Sequence, residues 1–269
     1  MNGFDFGSFL VPVLVVGGLA LFFGVILGLS ARKFAVQADP NVERLIKVLP
    51  GVNCGGCGFP GCAGFAQGVV KGKATYNGCA PGGLETAQKI AQFMGVEATA
   101  ESRKVAFVKC NGDCDAVKMN YIYDGPRSCV SAAQLATGGS KGCQYSCIGH
   151  GSCENICPFG AIDIVDTVAV INSEKCTACG KCVSVCPKNL IEIVPDSSKV
   201  RVACNSKDKG RTVRDNCRNG CIGCTICEKT CQDAAITVVD NLSRIDYEKC
   251  TQCKACVAKC PTKVIKVLS

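Results

Sequence analysis

Cys176, Cys179, Cys182 and Cys186, followed by Pro187, form one run in this 269-residue sequence. Cys250, Cys253, Cys256, Cys260 and Pro261 repeat it. Two-residue gaps wrap the backbone around one cube of iron and sulfide. Three sulfurs then converge, amide N–H groups point inward, and the proline ends the turn. The first three cysteines of such a run hold one four-iron cluster and the fourth ligates its neighbour. Zinc sites use two pairs of cysteines rather than four evenly spaced ones. Each run therefore needs a partner run. Cys221, Cys224, Cys227 and Cys231 pair with the run from 250 to 260. Crossed ligation places one cluster on Cys221, Cys224, Cys227 and Cys260, and another on Cys231, Cys250, Cys253 and Cys256. In the earlier half, Cys157 completes the cluster of Cys176, Cys179 and Cys182. Cys186 then joins Cys147 and Cys153, which still need a fourth ligand.

The stretches YSCIGHGSCENIC (145–157) and NGCIGCTICEKTC (219–231) align without a gap. Cys224 falls on His150, the one histidine in the chain. Either that histidine or a cysteine from elsewhere fills the place. A separate group, Cys54, Cys57, Cys62 and Cys79, lies in GVNCGGCGFPGC and NGC. Its glycines let the backbone approach closely and donate N–H to sulfur. This group reads as a further four-iron cluster.

The elements that must position these ligands are short. The chain has 25 cysteines and 30 glycines but only 5 tyrosines and no tryptophan, a poor basis for a conventional core. Disulfides or metal centres must supply the rest. FLVPVLVVGGLALFFGVILGL (9–29) carries no charge and is long enough to span a bilayer. No Lys or Arg precedes it, and Arg32 and Lys33 follow it. This predicts an uncleaved, single-pass anchor with its N-terminus outside and the body in the cytoplasm. Thiols in the cytoplasm are kept reduced, which favours metal ligation over disulfides. ADPNVERLIKVLPG reads as a short helix with Asp39 as N-cap. AGFAQGVVKGKA and GLETAQKIAQFMG are helical in period. From Val105 and again from Val200 the chain repeats a strand, a cysteine turn, an AI strand, a second apolar strand and a cysteine run. The expected fold class is α+β. Its parts are a transmembrane helix (1–30), a small helical cluster domain (31–100), a cysteine-containing linker domain (101–142) and two βαβ-type dicluster units (143–199 and 200–269).

The anchor, the group from Cys54 to Cys79 and the paired runs, in this order, resemble the B-type iron–sulfur subunit of the Rnf complex. The two units together resemble the family's long form, a polyferredoxin. The resemblance covers essentially the whole chain. It implies a membrane-bound ferredoxin:NAD oxidoreductase that couples electron transfer to sodium or proton translocation. It also implies reduced ferredoxin as donor, other Rnf-type subunits as partners and location in the inner membrane. The alternatives are a relay subunit of a hydrogenase or formate dehydrogenase, and a zinc-binding structural module.

Twenty-five cysteines make six sets of four with one left over. Economy assigns Cys143, rather than His150, to complete Cys147, Cys153 and Cys186. The expected sixth set is then Cys110, Cys129, Cys204 and Cys217, with Cys114 spare. Five [4Fe-4S] clusters are thus expected and a sixth is proposed. The formal net charge of +8 counts every cysteine as neutral. A four-thiolate cluster carries about −2 when oxidised, so the basic balance needs no nucleic acid. Aromatic-interleaved basic patches are absent as well. Dinucleotide fingerprint, phosphate loop and nucleophile pair are all missing from the sequence. Electron transfer is therefore the chemistry left. Lys207, Lys209, Arg211 and Arg214, or Lys254 and Lys259, are candidates to attract an acidic ferredoxin.

Overall fold

The computed structural model describes residues 6–34, 39–98 and 102–268. The chain divides into two units, residues 1–43 and residues 44–269. In the first unit, α1 (Phe6–Lys33) is uncharged until Arg32 and Lys33 in its last turn. It is long and apolar enough to cross a membrane, and its apolar side chains from Val13 to Leu29 are exposed. The expected start of the span lies partly outside the residues whose side chains are described. α2 (Pro40–Val48) begins as its sequence requires. Asp39 Oδ1 accepts the Asn41 N–H at 2.9 Å, and Pro40 occupies the first position, where no donor is missed.

The second unit opens with a helical segment. Its buried apolar residues are Leu45 and Leu49, then Phe65 and Val69 in α3 (Gly61–Val70) and Ile90 and Ala91 in α4 (Gly83–Met94). Phe59 meets Phe65 edge-on at 5.9 Å. Gly68 lies against Phe59, where a Cβ would stand 2.6 Å from the ring.

The duplicated part follows. The first copy runs β1 (Lys104–Val108), α5 (Cys129–Ala133), α6 (Ser152–Ile156), β2 (Ile162–Val165), β3 (Val168–Ile171), α7 (Lys181–Val185) and β4 (Ile191–Pro195). The second runs β5 (Val200–Val202), α8 (Gly210–Asn216), α9 (Ile226–Thr230), β6 (Ile236–Val239), β7 (Leu242–Ile245), α10 (Ala255–Lys259) and β8 (Ile265–Val267). Each copy makes two antiparallel strand pairs. Its first strand pairs with its last, and its middle strands form a hairpin. Asp166-Thr167 and Asp240-Asn241 turn the hairpins with φ between 47° and 66° at all four residues. Two-residue loops of this left-handed kind match the twist of the strands they join.

One expected boundary moves. Sequence predicts a separate linker domain over 101–142, yet its β1 pairs with β4 from Lys104↔Pro195 to Val108↔Ile191. The strand belongs to the first copy, and the cysteine-bearing segment from 109 to 146 is an insertion within it. Val105, Phe107, Val194 and Ala203 join the copies in one apolar cluster. Arg201 is buried beside it, 5.2 Å from the Phe107 ring centre.

Candidate metal centres

Four five-residue helices each carry a buried cysteine: Cys153 in α6, Cys182 in α7, Cys227 in α9 and Cys256 in α10. The residue ending each helix is also a cysteine, at 157, 186, 231 and 260. All four are extended, with φ from −71° to −77° and ψ from 108° to 114°. Proline follows three of them, and a residue before proline is driven out of the helical region. Each helix thus turns one sulfur inward and hands the next one on.

The cysteines line separate cavities. Cys54, Cys57, Cys62 and Cys79 surround about 320 Å³. Asn53 sets this loop, its Oδ1 accepting the Cys62 N–H at 2.8 Å. Burial raises the Cys79 thiol, and the Cys62, Cys54 and Cys57 thiols reinforce the shift. Cys157, Cys176, Cys179 and Cys182 surround a second cavity of about 320 Å³. Burial, then its three partners, pushes Cys182 up to about 11. Cys221, Cys224, Cys227 and Cys260 surround about 330 Å³. Cys227 Sγ lies 3.3 Å from the Ser243 hydroxyl there. Near the C-terminus, burial and then Cys250 and Cys253 push Cys256 up to about 11, and Cys231 packs in the same apolar cluster. In the first three of these sets, the four cysteines that the spacing groups line one cavity.

The other two cavities are lined differently. Cys147, Cys153 and Cys186 share a cavity of about 360 Å³ with Cys129, not with Cys143. Burial pushes Cys153 up to about 12, with Cys147, Cys129 and Cys186 adding to it. Cys129 opens α5, whose N-cap Ser128 accepts from the Ser131 N–H. Its own N–H donates to Ser152 Oγ at 2.8 Å, which ties α5 to α6. Cys143 instead joins Cys110, Cys204 and Cys217 around about 410 Å³. Burial pushes Cys143, Cys204 and Cys217 each up to about 11. The sequence places Cys143 with Cys147, Cys153 and Cys186, and Cys129 with Cys110, Cys204 and Cys217; the cavities place these two cysteines the other way round. Cys114, the expected spare, is exposed and lines none of these cavities.

The central set sits where the copies join. Val117 bridges to Cys217, and Lys118 N–H donates to Asn216 O at 3.0 Å. Its amide network is doubled. Cys110 Sγ accepts N–H groups from Gly112 at 3.4 Å and Cys147 at 3.3 Å. Cys204 Sγ accepts them from Ser206 at 3.4 Å and Cys221 at 3.3 Å. Cys147 and Cys221 belong to the neighbouring sets on either side. At the far end, a Cβ on Gly56 would stand 2.4 Å from Cys179 O, so the Cys54 loop lies directly against the next set.

His150 is not among the residues lining the cavity of Cys147. Its ring lies 4.7 Å from that of Tyr123, and its buried Nε2 has no hydrogen-bond partner among the described residues. His150→Ala is expected to retain all the iron of the parent, measured by iron and acid-labile sulfide content. Loss of about four irons per chain, one cubane's worth, would make the histidine a ligand.

The donor set suits clusters. Among the described residues, no three His, Cys, Asp or Glu side chains converge as one metal ion requires. That spacing does not suit the zinc alternative, whose thiolates sit about 2.3 Å from a single ion. Thr177 lines the cavity of Cys176, and its buried Oγ1 has no partner among the described residues. A sulfide or thiolate of a cluster would give it one.

Comparison with known proteins agrees. Residues 49–81 match a model described as "Putative Fe-S cluster", residues 146–190 a 4Fe-4S dicluster domain and residues 243–266 a 4Fe-4S binding domain. The B-type subunit of the ion-translocating oxidoreductase complex of Methanosarcina acetivorans is 45% identical over 95% of this chain and 97% of its own length. The chain belongs to that B-type family. Another member, from Acetobacterium woodii, is 45% identical over 96% of this chain and 78% of its own length. Its complex is named a Na(+)-translocating ferredoxin:NAD(+) oxidoreductase. A third, from Clostridium ljungdahlii, is 42% identical over 96% of this chain and 91% of its own length, and its complex is named proton-translocating. Like the family it belongs to, this B-type chain serves an oxidoreductase complex, and it carries iron–sulfur cluster domains, four-iron ones among them.

Proposed function

We propose that this chain relays electrons from a reduced ferredoxin to partner subunits of an Rnf-type complex that reduce NAD and translocate sodium ions or protons. Six [4Fe-4S] clusters, one per set of four cysteines, supply one-electron carriers. The protein's part is to hold them in order. That order runs from the Cys54 set to the sets of Cys176, Cys147, Cys110, Cys221 and Cys250. The observation that carries the reading is the pair of amide links across the central set, Cys147 N–H to Cys110 Sγ and Cys221 N–H to Cys204 Sγ. Such hydrogen bonds also adjust cluster potentials.

Cys253 is exposed at the C-terminal end of this order, and the exposed Lys254 and Lys259 flank it. An acidic ferredoxin is attracted to such a surface. α1 anchors the chain in the inner membrane with its N-terminus outside, since Arg32 and Lys33 follow the apolar span.

The test is iron and sulfide analysis of the full chain with EPR of the reduced protein. The expected content is about 24 irons per chain, four for each cubane cluster. Zinc without sulfide would overturn the relay, and about 20 irons, at the same four per cluster, would remove one set from it.

A further inference from the structure

The first copy holds a buried charge, Lys141, at a place where the second copy holds none. Lys141 has 4% of its surface exposed. Its Nζ donates to Gly112 O at 2.7 Å and Thr167 O at 2.8 Å, both neutral main-chain acceptors. Gly112 lines the central cavity and donates its own N–H to Cys110 Sγ. Thr167 turns the β2–β3 hairpin, and the loop after Cys147 lies on that turn. A Cβ on Gly149 would stand 2.4 Å from Thr167 O. The ammonium therefore lies between loops that serve two adjacent sets. Burial raises the Cys147 thiol to about 11, and Lys141 is among the groups that pull it back. Burial, then Arg127 and Lys141, lowers the pKa of His150.

The second copy ties the same loops without a charge. Cys110, Gly112 and Thr167 correspond to Cys204, Ser206 and Asn241. Asn241 Nδ2 donates to Lys207 O at 3.1 Å, so a neutral carboxamide replaces the ammonium. The residue aligned with Lys141 is Asp215, which is exposed.

We propose that Lys141 sets reduction potential: its buried ammonium raises the potentials of the Cys129–Cys147–Cys153–Cys186 and Cys110–Cys143–Cys204–Cys217 sets. The proposal rests on the relay reading of those sets. Each electron added to a cluster makes it more negative, and a nearby cation favours that form. The effect is strong where water is excluded, because the effective permittivity there is far below that of water. Net charge and hydrogen bonding are among the terms that set cluster potentials. Transfer of an electron from the second copy to the join between copies is thereby made more favourable.

The experiment is an EPR-monitored redox titration of the full-length, cluster-loaded chain as wild type, K141M, K141Q and K141R. Iron and sulfide are measured in each. K141M and K141Q are expected to keep the wild-type iron content. At least one midpoint potential should fall by about 59 mV or more, a tenfold change in a one-electron equilibrium. K141R keeps the charge and should hold its potentials within about 18 mV of wild type, a twofold change on the same scale. Unchanged potentials in fully loaded K141M would overturn the proposal. So would an equal fall in K141R, which would assign the effect to packing. Iron loss in both K141M and K141Q would make the lysine a structural tie and overturn it too. Four-iron signals missing from the wild type would instead sink the relay reading itself.

Discussion

Cys129→Ser combined with Cys147→Ser is expected to cost no more iron than either change alone. Both residues line one cavity with Cys153 and Cys186. Once one ligand is gone and the cluster is lost, the second change has nothing left to remove. Residues that act as one unit are non-additive in this way. Cys143→Ser combined with Cys147→Ser should lose two clusters, because Cys143 lines the central cavity instead. Iron analysis then reads about 20 per chain for the first pair and about 16 for the second, at four irons per cluster. The opposite result would restore Cys143 to the Cys147 set. Serine keeps the local volume, so the comparison reports ligation rather than a packing defect.

Cys110→Ser or Cys204→Ser is expected to cut the relay in the middle. The central set takes two sulfurs from each copy, and amides from both neighbouring sets donate into it. In the proposed relay, a cluster there is the connection through which an electron passes between the copies. In a complex reconstituted with either variant, ferredoxin-driven NAD reduction should drop to the level of a complex lacking this chain. A strong chemical reductant should still reduce the clusters that remain, and their EPR signals should persist. Retained ferredoxin-driven turnover would mean that electrons bypass the centre.

The cysteines that line one cavity in each dicluster unit were legible in the sequence because most of them are local. Two- and three-residue gaps specify which sulfurs converge, and a five-residue helix and its cap deliver them. α1 was equally plain, since length and absence of charge decide it. The central set was harder, because its ligands come from four separated places in the chain. The signal was nevertheless present. Cys110 matches Cys204 and Cys143 matches Cys217, so the duplication itself supplies two symmetric pairs. Assigning Cys143 to the gap at His150 broke that symmetry. Cys129 has no cysteine at the matching place in the second copy, so no repeat argument could reveal it. Its position depends on the N-cap at Ser128 and the Cys129 N–H bond to Ser152 Oγ, contacts made only in the folded chain. The boundary near residue 142 failed for a similar reason. β1 and β4 pair across more than eighty residues, and antiparallel pairing at that distance leaves no trace in local spacing.

That pairing has a wider consequence. Lys104, at the start of the first copy, faces Pro195 at its end, and Val200 faces Val267 in the same way. The chain therefore comes into each copy and departs from it at one place. Such a copy behaves as a cassette: it can be inserted into, or deleted from, a growing gene without rerouting the polypeptide on either side. In the proposed relay such a chain lengthens by whole modules, two carriers at a time, with one more from the sulfurs at each new seam.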